Sequence, residues 1–458
     1  MVKQKTTFGL IACIIFLLLP VGFAQTGWQY ADEIRSRINA PTFSDKDFNI
    51  VDFGAVADGN DCTEAIKNAI TAAYEAGGGR VVVPAGQFSS GAIHLKSNVE
   101  LHLAEGAVIK FSTDPNSYLP TVYTRWEGVE CMNYSPMVYA YEQNNIAITG
   151  KGTLDAQSSS ENWWAWSKIQ KADRERLFKY GQEGAPVQER KFGAGAKLRP
   201  NMIQFYKCKN ILIEGVTIKD SPMWHIHPVL SYNITVKNVK ITGYGPNNDG
   251  FNPESCKNII IENCYFDTGD DCIAVKAGRN DDGRRVDVPS EDIIIRNCRM
   301  MDGHGGVVIG SEMTGGVRNV FVEDCMMDSP NLERAFRIKT NAVRGGFIEN
   351  LYVRNIAIGR VHEAVLKINM FYEEGDVGEF APVIRNINIE NVTCGKSEYA
   401  LYLKGYQRSP IKDVRLKNCV FENIEKSSII ENVEGLVFEN VIINGELSEI
   451  NLAEGDNK

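Results

Sequence analysis

The chain has 458 residues, of which 43% are hydrophobic, and its formal net charge is −9. This length suffices for two or three ordinary domains or for one large repetitive β architecture. A chain with this acidic balance does not bind nucleic acid non-specifically, so we expect no nucleic-acid partner, and an anionic ligand requires a local basic cluster. One candidate set exists: Lys276, Arg279, Arg284, Arg285, Arg337, Lys339 and Arg344.

Residues 1–24 have the composition of a secretory signal peptide. Lys3 and Lys5 precede an apolar run over residues 8–23, and the segment ends in a small-x-small pattern. The run is short for a membrane anchor and continues past Cys13, which disfavours a lipoprotein signal. We therefore expect an exported protein, periplasmic or extracellular, without a membrane span in its mature form.

Residues 25–48 form a lead segment without a clear pattern, and residues 49–450 are interpreted as one continuous domain. Near its start, residues 63–76 have the apolar spacing of one amphipathic helix, with a face formed by Ala65, Ile66, Ala69, Ile70 and Ala73. A lone helix before a long strand array is typical of the cap that covers the first edge of a repeat fold.

From Arg80 onwards, short apolar triplets recur every 22 to 36 residues. Nine copies share one phase, and a weaker copy follows Asn145. The residues before the nine triplets are Asn210, Asn233, Asn258, Asp292, Asn319, Asn350, Asn386, Asp413 and Gly435. A coil this short cannot bury its own apolar face, so the phase predicts an all-β fold, a parallel β-helix of about ten coils with an N-terminal capping helix.

The repeat also assigns structural roles to its asparagines and cysteines. One turn position holds Asn238, Asn263, Asn297, Asp324, Asn355, Asn391, Asn418 and Asn440. Asn tolerates a left-handed backbone, and stacked amides can form a ladder. Cys264, Cys298, Cys325 and Cys419 stand where other coils have Val or Ile, which predicts small buried side chains, although a bridge between Cys298 and Cys325 stays possible at the coil spacing of about 4.8 Å.

One segment interrupts the repeat. The aromatic residues 163–166 are followed by a charged, partly helical stretch over residues 168–197. In repeat proteins such an insertion is a loop on one face, often the binding face. Its aromatic start could stack on a sugar or pack against the coils, and we expect the insertion to shape one end of a groove.

Charged residues coincide in phase on four consecutive coils. They are Asp249, Asp270, Asp271, His304, Arg337 and Lys339. These side chains should project from one face within about 15 Å along the axis. A calcium site or a solvated turn would explain the aspartate pair alone, and a turn would explain His304, but the shared phase weakens both explanations.

Glycoside hydrolysis needs such a set. One carboxyl that stays protonated donates to the leaving oxygen, while an ionised one activates water. Carboxylates on neighbouring rungs leave room for that water, which favours inversion. Arg337 and Lys339 alternate on one strand and can clamp the carboxylate of an acidic sugar, so a uronic acid is the expected substrate.

The chain resembles the polygalacturonases of glycoside hydrolase family 28. Four motifs carry the resemblance: Asn247-Asn248-Asp249, Gly269-Asp270-Asp271, Gly303-His304-Gly305 and Arg337-Ile338-Lys339. The resemblance implies a right-handed β-helix and inverting hydrolysis of α-1,4-linked galacturonic acid in pectin, with an acidic polysaccharide or oligogalacturonide as the partner and no cofactor or metal.

The resemblance also implies roles for the site residues. Asp270 would be the general acid, Asp249 and Asp271 would hold the water, and His304 would support the acid. Arg337 and Lys339 would bind the substrate carboxylate, together with Asn247 of the first motif and Tyr372, which falls near the family's active-site tyrosine. Asn248 departs from the usual Thr, a change that should leave the carboxylates in place.

Three further stretches resemble the exo-acting branch of the family, namely residues 126–130, 252–256 and 310–313. With the insertion, they favour release of single galacturonate units. Alternatives are a pectate-lyase-type elimination on the same fold, which would use calcium, hydrolysis of a galacturonate linkage in rhamnogalacturonan, and a β-helix that binds polysaccharide without cleaving it. The sequence leaves the oligomeric state open.

Overall fold

The computed structural model describes residues 27–452, so the predicted signal peptide lies outside the described residues. The described chain forms the predicted parallel β-helix. Its α-helices are α1 (Trp28–Arg37), α2 (Thr63–Glu75), α3 (Lys171–Gln182) and α4 (Asn280–Val286). Within residues 27–452, no helix is long and apolar enough to cross a membrane.

The principal strand column runs the length of the β-helix. After Asp47–Asn49, its strands are Gly79–Val83, Val99–Leu103, Asn144–Gly150, Lys209–Glu214, Tyr232–Lys237, Lys257–Glu262, Ser290–Arg296, Val317–Glu323, Phe347–Ile358, Val383–Cys394, Ile411–Phe421 and Val433–Ile443. They pair in parallel, and Glu446–Ser448 and Asn451–Leu452 close the last strand antiparallel. The first two full strands, which precede the repeat copies found in the sequence, extend the column beyond about ten coils.

The register agrees with the phase predicted from the sequence. Ile234 pairs with Ile211 and with Ile259, and Ile293 pairs with Ile259 and with Val320. The same position continues to Leu436 at the end of the column. The first residue of each triplet therefore stacks on the next, and these side chains form the continuous core.

A second column belongs to the same sheet and a third carries the site. The second contains Gly86–Ser90, Ala107–Phe111, Thr153–Asp155, Thr217–Lys219, Lys240–Gly243, Tyr265–Thr268, Arg299–Met300 and Met326–Met327. The third contains Ile93–His94, Val138–Tyr141, Ile203–Tyr206, Ile273–Val275, Val307–Gly310, Arg334–Lys339, Ala364–Asn369, Ser397–Lys404, Ile424–Lys426 and Ile429–Glu431. A separate small sheet consists of Val122–Trp126, Val129–Asn133 and Lys191–Phe192.

The predicted cap and asparagine turns are both present. The five predicted face residues of α2 are all buried against the first coil. All eight turn residues have a left-handed backbone, with φ between 51° and 56°. Side-chain amide hydrogen bonds link several of them, as from Asn391 to Asn355 and from Asn440 to Asn418. The residue before each triplet forms a second ladder, as from Asn233 to Asn210 to Asn145.

Every cysteine within residues 27–452 is buried and unbridged. The predicted burial of Cys264, Cys298, Cys325 and Cys419 is therefore confirmed, and the alternative bridge between Cys298 and Cys325 is not formed. The Cys298 amide instead lies 3.4 Å from Cys325 Sγ. These thiols fill the repeat position that Val and Ile fill in other coils.

Helix α1 was not recognised in the lead segment. It lies across the outer face of the principal column, where Ala31 and Ile34 pack on Ile260, Ile294 and Phe321. Two of its arginines form ion pairs with the coils, Arg35 with Glu323 at 3.0 Å and Arg37 with Asp292 at 2.7 Å. The helix therefore bridges three consecutive coils.

The insertion after residue 163 has two parts with different roles. Trp163 is buried in the main core beside Tyr118 and Trp166, so the aromatic start packs against the coils and does not line the pocket described below. Helix α3 then packs through Leu177 on the small sheet. A buried ion pair of 2.7 Å between Arg190 and Asp282 holds the insertion against α4.

Candidate active site

All eight site residues predicted from the sequence line one pocket of about 380 Å³. The lining residues are Glu127, Arg174, Trp224, Asn247, Asp249, Asp270, Asp271, Lys276, His304, Ser311, Glu312, Glu333, Arg334, Arg337, Lys339, Tyr372 and Glu373. Seven of these are carboxylates and five are Lys or Arg. An anionic ligand in this pocket must therefore meet the cations that retain unused donors.

The third column sets the spacing of the carboxylates. Phe251 pairs with Ile273, and Ile273 pairs with Val307. Asp249 stands two residues before Phe251, and Asp271 stands two residues before Ile273, so these aspartates lie at the same position of neighbouring coils. Asp270 and His304 each stand three residues before the paired residues Ile273 and Val307, so they are also neighbours. Both Asp249 and Asp271 are buried, at 3% and 0% exposure, because side chains from later coils cover the row.

Asp249 is held by the segment that follows it and by a buried lysine. Its Oδ2 accepts a 2.6 Å bond from the Asn252 amide and lies 3.8 Å from Lys276 Nζ. Burial and the neighbouring charge of Asp270 raise the pKa of Asp249 well above its ordinary value, although Lys276 opposes this shift. The Oδ1 atom makes no hydrogen bond to any described residue.

Asn248, the departure from the family's usual Thr, fixes this loop. Its side chain donates to the carbonyl oxygens of Ser221 and Met223 at 2.8 and 3.0 Å and accepts from the Gly245 amide at 3.0 Å. It is fully buried. Beside it, Asn247 Oδ1 accepts from Arg199 at 2.7 Å, which leaves the amide of Asn247 on the pocket side.

Asp270 and His304 form the second unit of the site, with His304 Nδ1 3.0 Å from Asp270 Oδ1. Burial acts to raise the pKa of Asp270, but the His304 hydrogen bond and the charges of Lys339 and Lys276 bring it to about 2. The same hydrogen bond raises the pKa of His304. A proton shared by this pair therefore lies on the imidazole in the free protein.

Asp271 is neutralised by the two cations of the Arg-x-Lys motif. Lys339 Nζ donates to Oδ2 at 2.7 Å, and Arg337 lies 3.6 Å from Oδ1. That Oδ1 atom is buried without a hydrogen bond to any described residue. Lys339 therefore uses one ammonium donor on Asp271, whereas Arg337 makes no hydrogen bond to a described residue and lies beside the ring of Tyr372, 5.7 Å away.

Sequence reasoning missed the buried pair of Lys276 and Glu312 as a part of the site. Their charged atoms are 3.1 Å apart, and Lys276 also lies 4.5 Å from the centre of the Trp224 ring. The charges of Lys276 and Arg279 keep the pKa of Glu312 well below its ordinary value despite burial. The signal was present, since Lys276 was in the basic set and Glu312 in an exo-like stretch.

Most of the remaining basic set is neutralised by carboxylates. Arg285 pairs with Asp282 and Glu130, Arg284 with Asp281, and Arg344 with Glu373 and Glu374. These side chains build the protein around the pocket, and only Lys276, Arg337 and Lys339 of the set line it.

One side of the pocket is a wall that we define by Glu127, Arg174, Glu312 and Glu373. Glu127 comes from the hairpin of the small sheet and Arg174 from α3, and their charged atoms are 2.8 Å apart. On the other side, His304 and Glu333 also line a second hollow of about 390 Å³, which includes Tyr244, Asp302 and His362. The pocket is thus walled on one side and continuous with a second hollow on the other.

Comparisons with known proteins agree with this geometry. Residues 76–442 match the family described as glycosyl hydrolases family 28. A probable polygalacturonase from Vitis vinifera is 30% identical over 85% of this chain and 77% of its own length. An exo-poly-alpha-D-galacturonosidase from Dickeya chrysanthemi is 27% identical over 84% of this chain and 68% of its own length.

Solved structures extend the comparison. A hyperthermoactive exopolygalacturonase from Thermotoga maritima is 44% identical, with a TM-score of 0.90 over 93% of this chain and 99% of that one. Among the relatives compared by sequence alone, an endo-polygalacturonase from Pectobacterium carotovorum is 26% identical over 79% of this chain and 84% of its own length. The family match over residues 76–442 covers the strands that carry the pocket and the four motifs that line it. The chain therefore belongs to family 28 of the glycosyl hydrolases.

Proposed function

We propose that the protein hydrolyses α-1,4-linked galacturonic acid in pectin with inversion and releases single galacturonate units from a chain end. The proposal depends on one observation, that two neighbouring aspartates each have a carboxylate oxygen without a hydrogen bond to a described residue. Asp249 and Asp271 each use Oδ2 for contacts within the protein and keep Oδ1 free of hydrogen bonds to described residues. Two such acceptors can hold and deprotonate one water, as inversion requires.

Asp270 is the general acid in this proposal. The proton that the acid must give is stored on His304, which is hydrogen-bonded to the same Oδ1. When a sugar covers the pair and excludes water, the charged form of the pair becomes less favourable and the proton moves to Asp270. The proton then passes to the leaving oxygen while the water attacks the opposite face of the sugar.

The exo mode is supported by the shape of the pocket and by the relatives. A wall on one side leaves room for the end of a chain, and the second hollow receives the rest of the substrate. The Dickeya chrysanthemi and Thermotoga maritima proteins are named as exo-acting enzymes. The substrate carboxylate would meet the free donors of Arg337, whereas Lys339 orients Asp271.

The test is chromatography of early products from polygalacturonate, combined with NMR of the first anomer formed. Monomer alone with inverted configuration is expected. A ladder of oligomers would contradict the exo mode, and retained configuration would contradict the mechanism. An unsaturated product that absorbs ultraviolet light and disappears with chelator would instead indicate elimination.

The same assay on defined substrates addresses the linkage. We expect cleavage of homogalacturonan and not of alternating rhamnogalacturonan, because the pocket keeps the histidine and Arg-x-Lys positions. Export is a separate part of the proposal and depends on residues 1–24. N-terminal sequencing of the mature protein should show cleavage after Ala24, and an intact N-terminus would contradict it.

A further inference from the structure

The pocket contains five Lys or Arg side chains, and the terminal nitrogens of three of them are hydrogen-bonded to carboxylates within the protein. Lys276 is bonded to Glu312 and Lys339 to Asp271. Arg334 pairs with Glu333 and Glu363. Two guanidinium groups remain whose terminal nitrogens make no hydrogen bond to a described residue, those of Arg337 and Arg174. Arg337 was predicted from its motif, but Arg174 belongs to the insertion.

Arg174 is held in place without using its terminal nitrogens. Its Nε donates to Glu127 at 2.8 Å, and its guanidinium lies 4.8 Å from the centre of the Phe178 ring. Glu373 is the next carboxylate, 4.0 Å from the outer nitrogen. The side chain is 36% exposed and lines the pocket. A guanidinium fixed in this way presents a planar fork that matches a carboxylate.

The position of Arg174 determines which sugar it can reach. It stands on the wall, whereas the opposite side of the pocket continues past His304 and Glu333. A sugar beside Arg174 is therefore the last of its chain. The wall also carries Glu127, Glu312 and Glu373, which would repel the carboxylate of that sugar unless a cation with free donors met it.

Resting on the proposed function, we propose that Arg174 is a specificity-determining residue that binds the carboxylate of the terminal galacturonate. The insertion thus does more than shape the pocket, since it supplies the group that recognises a charged chain end. Arg337 binds the substrate on the catalytic side, so the two arginines contact different parts of the ligand.

The test compares Arg174→Met with Arg174→Lys and with the control Arg176→Met. Arg176 lies on the same helix, pairs with Asp173 and stacks on Phe192, and it does not line the pocket. For trigalacturonate, Arg174→Met should raise KM by about 10- to 100-fold, the range of a lost charged hydrogen bond. The kcat value should change little, Arg174→Lys should be intermediate, and Arg176→Met should match the parent.

Two singly methyl-esterified trigalacturonates, one esterified at each end sugar, give the second measurement. The parent should discriminate against the ester at the walled end, and Arg174→Met should lose that discrimination. Unchanged KM, or discrimination that survives the substitution, would overturn the assignment. These results are separate from the proposed function, because a parent that makes no monomer fails before any variant is compared. If Arg174→Met does not fold, the KM and the ester discrimination are measured on Arg174→Lys instead.

Discussion

Two neighbouring carboxyl groups of the pocket, those of Asp249 and Asp270, have different surroundings and oppositely shifted pKa values. Asp249 is buried beside Asp270, and its pKa is raised. Asp270 accepts from His304, and its pKa is about 2. Environments that separate the pKa values of adjacent acids are typical of acid and base pairs. Under the proposed mechanism, the proton of the general acid rests on its histidine partner before substrate binds, so hydrolysis would require a proton transfer within the pair.

Substitution of each aspartate should distinguish acid from base. Asp270→Asn should lose about 10²- to 10⁴-fold in kcat on polygalacturonate, because general acid catalysis is worth that much. On a galacturonide with an activated leaving group, which needs little protonation, the loss should be much smaller. Asp249→Asn should be equally impaired on both substrates, since both need the activated water.

The control for these variants is Asp267→Asn, which changes a carboxylate on the same coil outside the pocket. It should retain parental activity, and all three variants should keep the parental circular dichroism spectrum. If Asp270→Asn were as impaired on the activated substrate as on the polymer, the acid would have to be another residue.

The pH dependence follows from the His304 pair. Because the pKa of His304 is raised, its stabilising contribution is fully present below the unfolded value of about 6.5 and is lost as pH rises through the folded pKa. The pair loses its proton in the same window, so kcat/KM should fall there. In His304→Gln, Asp270 must hold the proton alone, and the alkaline limb should move to lower pH.

The measurement is the pH profile of kcat/KM for trigalacturonate, together with denaturant unfolding at each pH. The stability advantage of the parent over His304→Gln should be largest in mildly acidic solution and shrink as pH rises. An alkaline limb that did not move in His304→Gln would show that this pair does not carry the catalytic proton.

At the scale of elements, α1 acts as a strap on the coils behind the site. It contacts the outer faces of Lys257–Glu262, Ser290–Arg296 and Val317–Glu323, the principal strands of three consecutive coils. The coils of Lys257–Glu262 and Ser290–Arg296 also carry Asp270 and His304. The strap therefore contributes to their stacking without touching the pocket.

Ile34→Ala should destabilise the protein by about 2 to 5 kcal/mol, because the side chain is fully buried and a cavity would remain. Thermal unfolding measures this loss, with exposed Asp32→Ala on the same helix as the control. KM for trigalacturonate at a temperature well below unfolding should not change. A raised KM with unchanged stability would mean that the strap acts on the site directly.

The sequence predicted the coils of the β-helix but not helix α1 or the wall of the pocket. The coils were predictable because Ile, Val and Asn recur at fixed positions that each coil repeats, and the motif residues inherit that phase. Helix α1 was missed since only Ala31 and Ile34 of it are buried, which is too weak a pattern. The wall could not be predicted either, because Glu127, Arg174 and Glu373 come from segments outside the sequence repeat and are brought together only by tertiary contacts.

The sequence could not predict the burial of Asp249 and Asp271 for the same reason. The sequence placed Asp249 and Asp271 at one phase, but their covering groups, Lys276 and Lys339, come from following coils. The repeat phase predicts which residues are neighbours along the axis, but it does not predict which side chains from other coils cover them from solvent.

At the scale of the whole molecule, each coil contacts mainly the coils before and after it. Stability is then close to a sum of coil and interface contributions, and a defect weakens its own neighbourhood most. Leu351 and Leu436 occupy the same repeat position in the principal column, with Ile387 and Val414 between them. Both are buried, at 3% and 0% exposure, but only the first lies next to the coil of Arg337.

This matched pair tests how far a defect spreads. Leu436→Ala and Leu351→Ala should each cost about 2 to 5 kcal/mol locally. In hydrogen exchange, Leu436→Ala should lose protection in Ile411–Phe421 and Val433–Ile443, with kcat/KM unchanged. Leu351→Ala should reduce protection in Val317–Glu323 and Val383–Cys394 and lower kcat/KM. The reason is that the strand Arg334–Lys339, which carries Arg337, lies in the chain between Val317–Glu323 and the strand that contains Leu351. Equal loss of protection in all coils for both variants would show instead that the β-helix opens as one unit.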